Sequence, residues 1–337
     1  MANRLFHRRI ALVALAFSII TCGLSAADEA ANYPDKPIHV IVPFAPGGAT
    51  DVALRLLQPS LEKVLGKTLV IDNRGGASGM VGLELAAHAQ PDGYTLFFGN
   101  VGTVSIDPIF FSQLKANPER DFIPISLAGE TPGIVVASTK FPPNSLKEMV
   151  AFARANPGKI NYGAAGISTL NSLAMEQFRR SAGLVMTQVP YKGGAGPALV
   201  DLIAGNIDMM LVTLSSASSH VKNGQLKALA VTTGERIPLL PDVATMAEQG
   251  FPDSVSSSWQ GLFAITGTPQ PIVAKLHAAV VKAMADPEAR KRMADAGILP
   301  TVSPSPEAFK AFLATEMTKW KPVVEQIKAA EKNKTSQ

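Results

Sequence analysis

The chain has 337 residues, 47% of them hydrophobic, with 31 basic and 27 acidic side chains. Three of the basic residues lie within the first nine positions, so the rest of the chain carries 28 basic against 27 acidic residues. This balance offers no basic stripe for nucleic acid, and a single cysteine, Cys22, excludes a disulfide scaffold.

The N-terminus has the pattern of a secretory signal. Arg4, Arg8 and Arg9 precede an uncharged, mostly apolar run over residues 10–27, which ends in Ser-Ala-Ala. We expect residues 1–27 to be a signal peptide cleaved near Ala27, and the mature protein to be periplasmic. Lipidation at Cys22 stays open as an alternative. No later segment approaches the ~20 continuous apolar residues that a membrane span needs.

The remaining chain is long enough for two domains, since about 310 residues exceed the size at which one core usually stops growing. Its first part predicts strands at 38–44, 68–73 and 94–99. Helices are predicted between these strands. In the first helix the apolar residues are spaced by three and four up to Gly66, where the pattern stops, and Pro59 predicts a kink within it. Alternating strands and helices indicate βαβ units.

A second series begins near Gly133. It predicts strands at 134–138, 161–164, 185–190, 207–214 and 226–232, with helices at 145–155, 170–181 and 198–204. Residues 121–127 and 257–265 are extended and predict two crossings, and helices follow at 272–285, 288–296 and from Pro306. The apolar stripe of the last helix predicts packing on the first domain rather than a partner-binding face, and Pro322 predicts a break in that helix. We therefore expect an α/β fold with two doubly wound domains: residues 28–128, 129–252, and 253–337 returning to the first.

Five glycine-rich junctions follow predicted strands. The first, residues 41–51 (IVPFAPGGATD), opens a helix, so its main-chain N–H groups and the helix dipole favour an anion. Fixed dipoles and small hydroxyls suit carboxylates, because charge-assisted hydrogen bonds are strong. The other junctions are residues 75–79, 99–103, 163–169 with Asn171, and 191–196.

Catalytic and cofactor motifs are missing. The P-loop pattern Gly-x-x-x-x-Gly-Lys-Ser/Thr, the fingerprint Gly-x-Gly-x-x-Gly and the nucleophile motif Gly-x-Ser-x-Gly are absent. The histidines show no metal-ligand spacing, and His220 beside Ser219 is most simply a solvent-facing residue near a helix end. We expect no cofactor, no metal and no catalytic residue. An exported enzyme acting on a carboxylate stays open as a low-weight alternative.

Several motifs together resemble the Bug family, the periplasmic substrate receptors of tripartite tricarboxylate transporters. They are residues 33–51 (YPDKPIHVIVPFAPGGATD), 72–79 (DNRGGASG), 92–96 (DGYTL), 189–193 (VPYKG) and 207–209 (IDM). The resemblance implies a type II periplasmic binding fold that closes on a small carboxylate and delivers it to membrane permease subunits. It implies a monomer with no nucleic-acid partner. A co-receptor role, presenting the ligand to a membrane sensor kinase, stays open.

The resemblance also implies a set of ligand-binding residues. In the family the first strand-to-helix loop grips a ligand carboxylate with main-chain N–H groups, and other loops supply the second wall and the far end. For Asp208 two roles stay open, since its carboxylate could bind a ligand amine or serve as a buried cap or turn residue. Carried onto this chain, the residues are Phe44, Ala45, Gly47, Gly48, Thr50, Asp51, Asn100, Thr103, Ser168, Thr169 and Asn171, and we add Gly166 and Asp208 as further candidates.

Many relatives carry a histidine after the position of Gly166, where this chain has Ile-Ser-Thr-Leu-Asn. None of these loops contains an arginine except Arg74 beside Gly75, so no side chain is dedicated to a third carboxylate. We therefore expect a monocarboxylate with an uncharged or aromatic tail, or a C4 dicarboxylate.

Overall fold

The structure, a computed structural model, describes residues 32–111, 115–165, 169–191 and 195–335. The signal segment, with Cys22, and the predicted site residues Gly166 and Ser168 lie outside these ranges. The strands are β1 (Ile38–Val42), β2 (Leu69–Asn73), β3 (Thr95–Asn100), β4 (Phe122–Ser138), β5 (Asn161–Ala164), β6 (Thr187–Pro190), β7 (Met209–Thr213), β8 (Leu226–Val231) and β9 (Ser257–Ile265).

Helices follow most of the strands. They are α1 (Ala49–Leu65), α2 (Met80–Ala87), α3 (Asp107–Phe110), α4 (Pro118–Asp121), α5 (Leu146–Ala155), α6 (Leu170–Ser181), α7 (Ala195–Ala204), α8 (Leu214–Lys222), α9 (Gln270–Met284), α10 (Pro287–Asp295) and α11 (Pro306–Thr335). Two short turns flank the candidate site: a 3₁₀ turn at Ala77–Gly79 and a π-helical turn at Gly102–Ile106.

The strands form one path in the order β2-β1-β3-β9-β4-β7-β5-β6, with β8 paired to β4. In each half the neighbouring strands that connect through helices are parallel, as βαβ units require. The long strand β4 joins the halves, because its first part pairs with β9 and its second part with β7 and β8. This confirms the expected doubly wound α/β fold.

Local sequence explains how α1 is held. Its apolar residues at helical spacing, including Leu54, Leu57 and Leu61, are buried against the first half of the sheet. The helix ends where Gly66 takes a left-handed conformation, φ 69°, and donates its N–H to the carbonyl of Glu62. Pro59 lies inside the helix without ending it. The start of α1 is thereby fixed at the edge of the sheet.

The structure differs from the sequence predictions at four points. The two strands expected at 121–127 and 134–138 are one strand, β4, whose register shifts accommodate its prolines and glycines. The domain boundary expected after residue 128 falls inside this strand. Helix α8 was not predicted, since four of its nine residues are serines, which favour turns and caps as much as helices. Helix α11 continues through Pro322, where a break was expected.

The two chain crossings are tied together by a buried threonine. The hydroxyl of Thr232 accepts the N–H of Gly133 at 2.8 Å and lies within hydrogen-bonding reach of the carbonyl of Ser256. A Cβ on Gly133 would lie 2.8 Å from that hydroxyl oxygen, so glycine is needed for the contact. Both crossings thus meet at one polar point between the halves of the sheet.

The C-terminal helix packs on the first half, as its apolar stripe predicted. Phe309, Trp320 and Val324 are buried, and Phe309 contacts the ring of Trp259 from β9. The buried carboxylate of Glu316 accepts the indole N–H groups of both Trp259 and Trp320, each at 3.1 Å. Within the described ranges no helix combines the length and apolar character needed to cross a membrane.

Replacing Glu316 tests this packing. We expect Glu316→Ala to lower the free energy of unfolding by about 2–4 kcal/mol, because two buried indole N–H groups lose their acceptor. Glu316→Gln keeps one acceptor oxygen and should cost about 1 kcal/mol. Urea denaturation of both variants measures the difference, and equal costs for the two would contradict the assigned role.

Candidate ligand-binding site

A cavity of about 480 Å³ lies where the carboxyl ends of β1, β3, β5 and β7 meet. Ligand sites in open α/β sheets occupy this position. Both halves of the sheet contribute walls. The lining residues are Phe44, Ala45, Pro46, Gly48, Ala49, Thr50, Ser78, Asn100, Val101, Gly102, Asp107, Ala165, Thr169, Leu170, Asn171, Ala195, Leu211, Val212, Thr213 and Ser258.

Two other cavities are less suited to a ligand. One of about 450 Å³ lies between α4, α9 and α11, with Arg120 and Lys310 in its wall. Another of about 760 Å³ lies beside Tyr33 and Tyr94, near the amino ends of β1 and β3. Neither is at the carboxyl ends of the strands. We therefore assign the site to the cavity between the halves.

The loop from β1 to α1 is braced from below by Asp51, which is 1% exposed. Its Oδ2 accepts the N–H of Gly47 and the Nε of Arg55, each at 2.8 Å, and its Oδ1 accepts Asn73 Nδ2 at 2.9 Å. Asn73 Nδ2 also donates to the carbonyl of Phe44 at 3.0 Å. Burial opposes the charge, but these hydrogen bonds outweigh it and hold the pKa of Asp51 below its usual value.

The brace places two of the residues predicted to bind the ligand, Gly47 and Asp51, outside the cavity wall. The N–H of Gly47 is already paired with Asp51, and neither residue is in the cavity wall. Gly47 has φ 84°, a left-handed conformation that glycine adopts without strain, so its part is to turn the loop. Asp51 positions the loop and does not touch the cavity.

Unpaired N–H groups lie in the loop before α1 and in the first turn of that helix. Among the described residues, the amides of Ala45, Ala49 and Thr50 have no hydrogen-bond acceptor, and all three residues line the cavity. The N–H of Gly48 makes a long 3.4 Å contact with the carbonyl of Ala45. A Cβ on Gly75 would lie 3.3 Å from the nitrogen of Ala45, so the glycine leaves that amide clear. Free amides at a helix N-terminus form a ready anion site.

The second wall is built on Asn100 at the end of β3. Its Nδ2 donates to Thr50 Oγ1 at 3.1 Å, and its Oδ1 accepts the N–H of Thr103 at 3.1 Å. Thr103 is fully buried, accepts the Asn100 N–H at its Oγ1 at 3.2 Å, and is absent from the cavity wall. Asn100 is thus at the cavity as predicted, whereas Thr103 holds it in place.

The other half supplies Thr169 and Asn171 from the start of α6. Thr169 caps that helix, because its Oγ1 accepts the N–H of Ser172. Asn171, in the first turn of the same helix, lines the cavity. Thr213, at the end of β7, completes this wall. Asp208 lies at the opposite end of β7 and accepts the N–H of Asn161 at 2.7 Å, so it is a structural acceptor outside the cavity.

One ionisable residue of the cavity was missed by the sequence analysis. Asp107 is 2% exposed, and it is the single ionisable side chain among the described lining residues. Burial raises the pKa of Asp107 to about 8. Its Oδ1 is buried without a hydrogen-bond partner. No motif spacing marked this residue; the signal available was one acid in an apolar segment directly after a predicted loop.

Comparison with known proteins places the chain in a family. The model of the tripartite tricarboxylate transporter family receptor matches residues 53–329. The chain belongs to this family. The receptor is 32% identical to protein BugT of Bordetella pertussis over 319 residues, which span 94% of this chain and 97% of BugT. Members of the family are periplasmic solute-binding receptors and not enzymes.

Solved structures agree with this fold. MatC from Rhodopseudomonas palustris, solved with bound malate, superposes on the receptor with a TM-score of 0.75 at 36% identity, covering 87% of this chain and 100% of MatC. A second R. palustris protein, solved with adipate, has a TM-score of 0.79 at 29% identity, covering 87% and 97%. The receptor therefore has the type II periplasmic binding fold that its motifs implied.

Within the described ranges no three histidine, cysteine or acidic side chains gather as metal ligands. His220 lies near the end of α8 as expected, is partly exposed, and has its Nδ1 2.7 Å from Gln225 Oε1.

Proposed function

We propose that the receptor binds a small carboxylate in the cavity between its halves and delivers it to a membrane transporter. The observation that carries this proposal is the set of unpaired amides of Ala45, Ala49 and Thr50, which line a cavity with no basic side chain in its described wall. A carboxylate there would gain charge-assisted hydrogen bonds of about 1.5–3 kcal/mol each.

The ligand class follows from the same wall. With one set of free amides on the first half and neutral polar groups such as Asn171 and Thr213 opposite, the cavity suits a mono- or dicarboxylate better than a tricarboxylate. Malate and adipate, present in structurally similar proteins, are dicarboxylates of suitable size. The tail of the ligand would lie against the second half.

Binding from both halves would drive closure. The open form would expose the amides, and contacts to the second wall would form only when the halves approach, so the ligand would favour the closed form. A permease that recognises the closed form would then receive loaded receptor. The ordered crossing point at Thr232 is a suitable hinge.

Titration calorimetry of the mature protein against malate, succinate, adipate, benzoate and citrate tests the binding. We expect saturable binding of at least one mono- or dicarboxylate, and weaker binding of citrate. Absence of heat from every acid, with a protein shown to be folded by circular dichroism, would contradict the proposal.

Export and transport have their own tests. We propose cleavage near Ala27, so the mass of the periplasmic protein should correspond to a chain beginning at or near Asp28. Deletion of the gene should abolish uptake of the radiolabelled acid that binds in calorimetry. Unchanged uptake with loss of a ligand-induced transcript would instead indicate a sensory role.

A further inference from the structure

Asp107 is the unexplained group of the cavity. It is the first residue of α3 and follows the π-helical turn Gly102–Ile106, a kind of irregularity that is frequent at functional sites. Neither carboxylate oxygen has a hydrogen-bond partner among the described residues, and Oδ1 is completely buried. A buried carboxyl without a partner costs free energy unless a ligand supplies one.

A structural role does not account for this side chain. At a helix start an Asp side chain commonly accepts N–H groups of the first turn, but here the hydrogen bond to Phe111 N–H is accepted by the Asp107 main-chain carbonyl. No ion pair involves Asp107 within the described part of the chain. The carboxyl of Asp107 thus has no structural partner among the described residues, although the residue lines the cavity.

Charged neighbours of Asp107 are few. On α11, Lys328 donates to the carbonyls of Ile109 and Phe110, while Lys321 and Glu325 are exposed. Strand β3 and the turn Ala77–Gly79 carry no ionisable side chain. On α1, Asp51 and Arg55 are paired with each other. Burial is the cause that raises the pKa of Asp107 to about 8, so the carboxyl is mostly protonated at neutral pH.

We propose that Asp107 determines specificity by acting as a neutral carboxylic acid that donates its O–H to an oxygen of the bound carboxylate. This inference rests on the proposed function, because it names a further contact of the same site. Protonated, Asp107 adds a donor to the free amides. Ionised, it would place a negative charge beside the ligand in a cavity without described cations and repel it.

The proposal predicts the direction in which ligand affinity changes with pH. The ligand binds the protonated form, so affinity is full below the pKa of Asp107 and is lost as pH rises above it. With ionisation near pH 8, the dissociation constant should increase about 10-fold between pH 6 and pH 9. The small acids themselves stay ionised throughout this range.

Calorimetry at pH 6, 7, 8 and 9 with the tightest-binding acid of the panel tests this. Wild type should show the 10-fold loss and should take up protons on binding at pH 8, seen as a heat that depends on the buffer. Asp107→Asn keeps a donor and carries no charge, so its affinity should be independent of pH. Ser105→Ala, a neutral change at a buried hydroxyl two residues earlier, should keep the wild-type slope.

A second variant keeps the test decisive if Asp107→Asn folds poorly. Asp107→Ala removes both donor and charge, and we expect its affinity to be about 10-fold weaker than wild type at pH 6 and flat with pH. Equal slopes for wild type and the Asp107 variants would overturn this inference and leave the proposed function intact. Affinity that rises with pH in wild type would also overturn it. If no acid binds to any of the proteins, both proposals fail.

Discussion

Replacing Gly48 with valine is expected to weaken binding of every carboxylate by about 10- to 100-fold, the loss of one charge-assisted hydrogen bond. Gly48 has φ −70° and ψ 159°, extended geometry that a β-branched residue adopts without strain. Its Cβ would lie 3.5 Å from the Ala45 carbonyl oxygen, an ordinary contact. The added methyl groups would then enter the cavity beside the free amides, so binding is lost while the fold is kept.

Gly234→Val provides the matched control. Gly234 is exposed, lies outside the cavity wall, and has no atom within 4 Å of an added Cβ. Its affinity for the panel acids and its melting temperature should equal those of wild type. Calorimetry on both variants measures the effect, and wild-type affinity in Gly48→Val would mean that the loop is only a turn.

Removal of the brace below the loop should have the second large effect. Asp51→Ala abolishes three hydrogen bonds accepted by one buried carboxylate, from Gly47, Arg55 and Asn73. We expect the free energy of unfolding to fall by about 2–4 kcal/mol. Because the loop then samples other conformations, we also expect carboxylate affinity to fall at least ~10-fold.

Asp51→Asn separates the two parts of this effect. It keeps one acceptor oxygen and the size of the side chain, so both losses should be intermediate. Urea denaturation and calorimetry on the same preparations measure stability and affinity together. An Asp51→Ala protein that is destabilised but binds with wild-type affinity would show that the brace serves folding alone.

The elements were largely predictable because their apolar periodicity is strong. Residues 170–181 and 257–265 were predicted with the bounds that α6 and β9 have in the structure. Helix α8 escaped because four of its nine residues are serines, which favour turns and caps as much as helices. The continuity of β4 was not predicted, because the bulges that accommodate its prolines form only once the strand is paired in the sheet.

The candidate site was predictable in position but not in the roles of its side chains. A glycine-rich turn after a strand marks a loop at the edge of the sheet, and the cavity is found there. Sequence spacing could not reveal that Asp51 faces down to Gly47, or that Thr103 braces Asn100, because both depend on packing between loops. Asp107 belongs to no sequence motif, and its proposed role rests on the burial of its Oδ1 without a hydrogen-bond partner, which only the structure shows.

A crystal structure of the receptor with its tightest-binding acid tests the central claim most directly. The account predicts that oxygens of one ligand carboxylate lie about 2.7–3.2 Å from the main-chain nitrogens of Ala45, Ala49 and Thr50, with Gly47 N–H still bonded to Asp51. A carboxylate bound instead to basic side chains, such as Arg120 and Lys310 in the cavity between α4, α9 and α11, would contradict it.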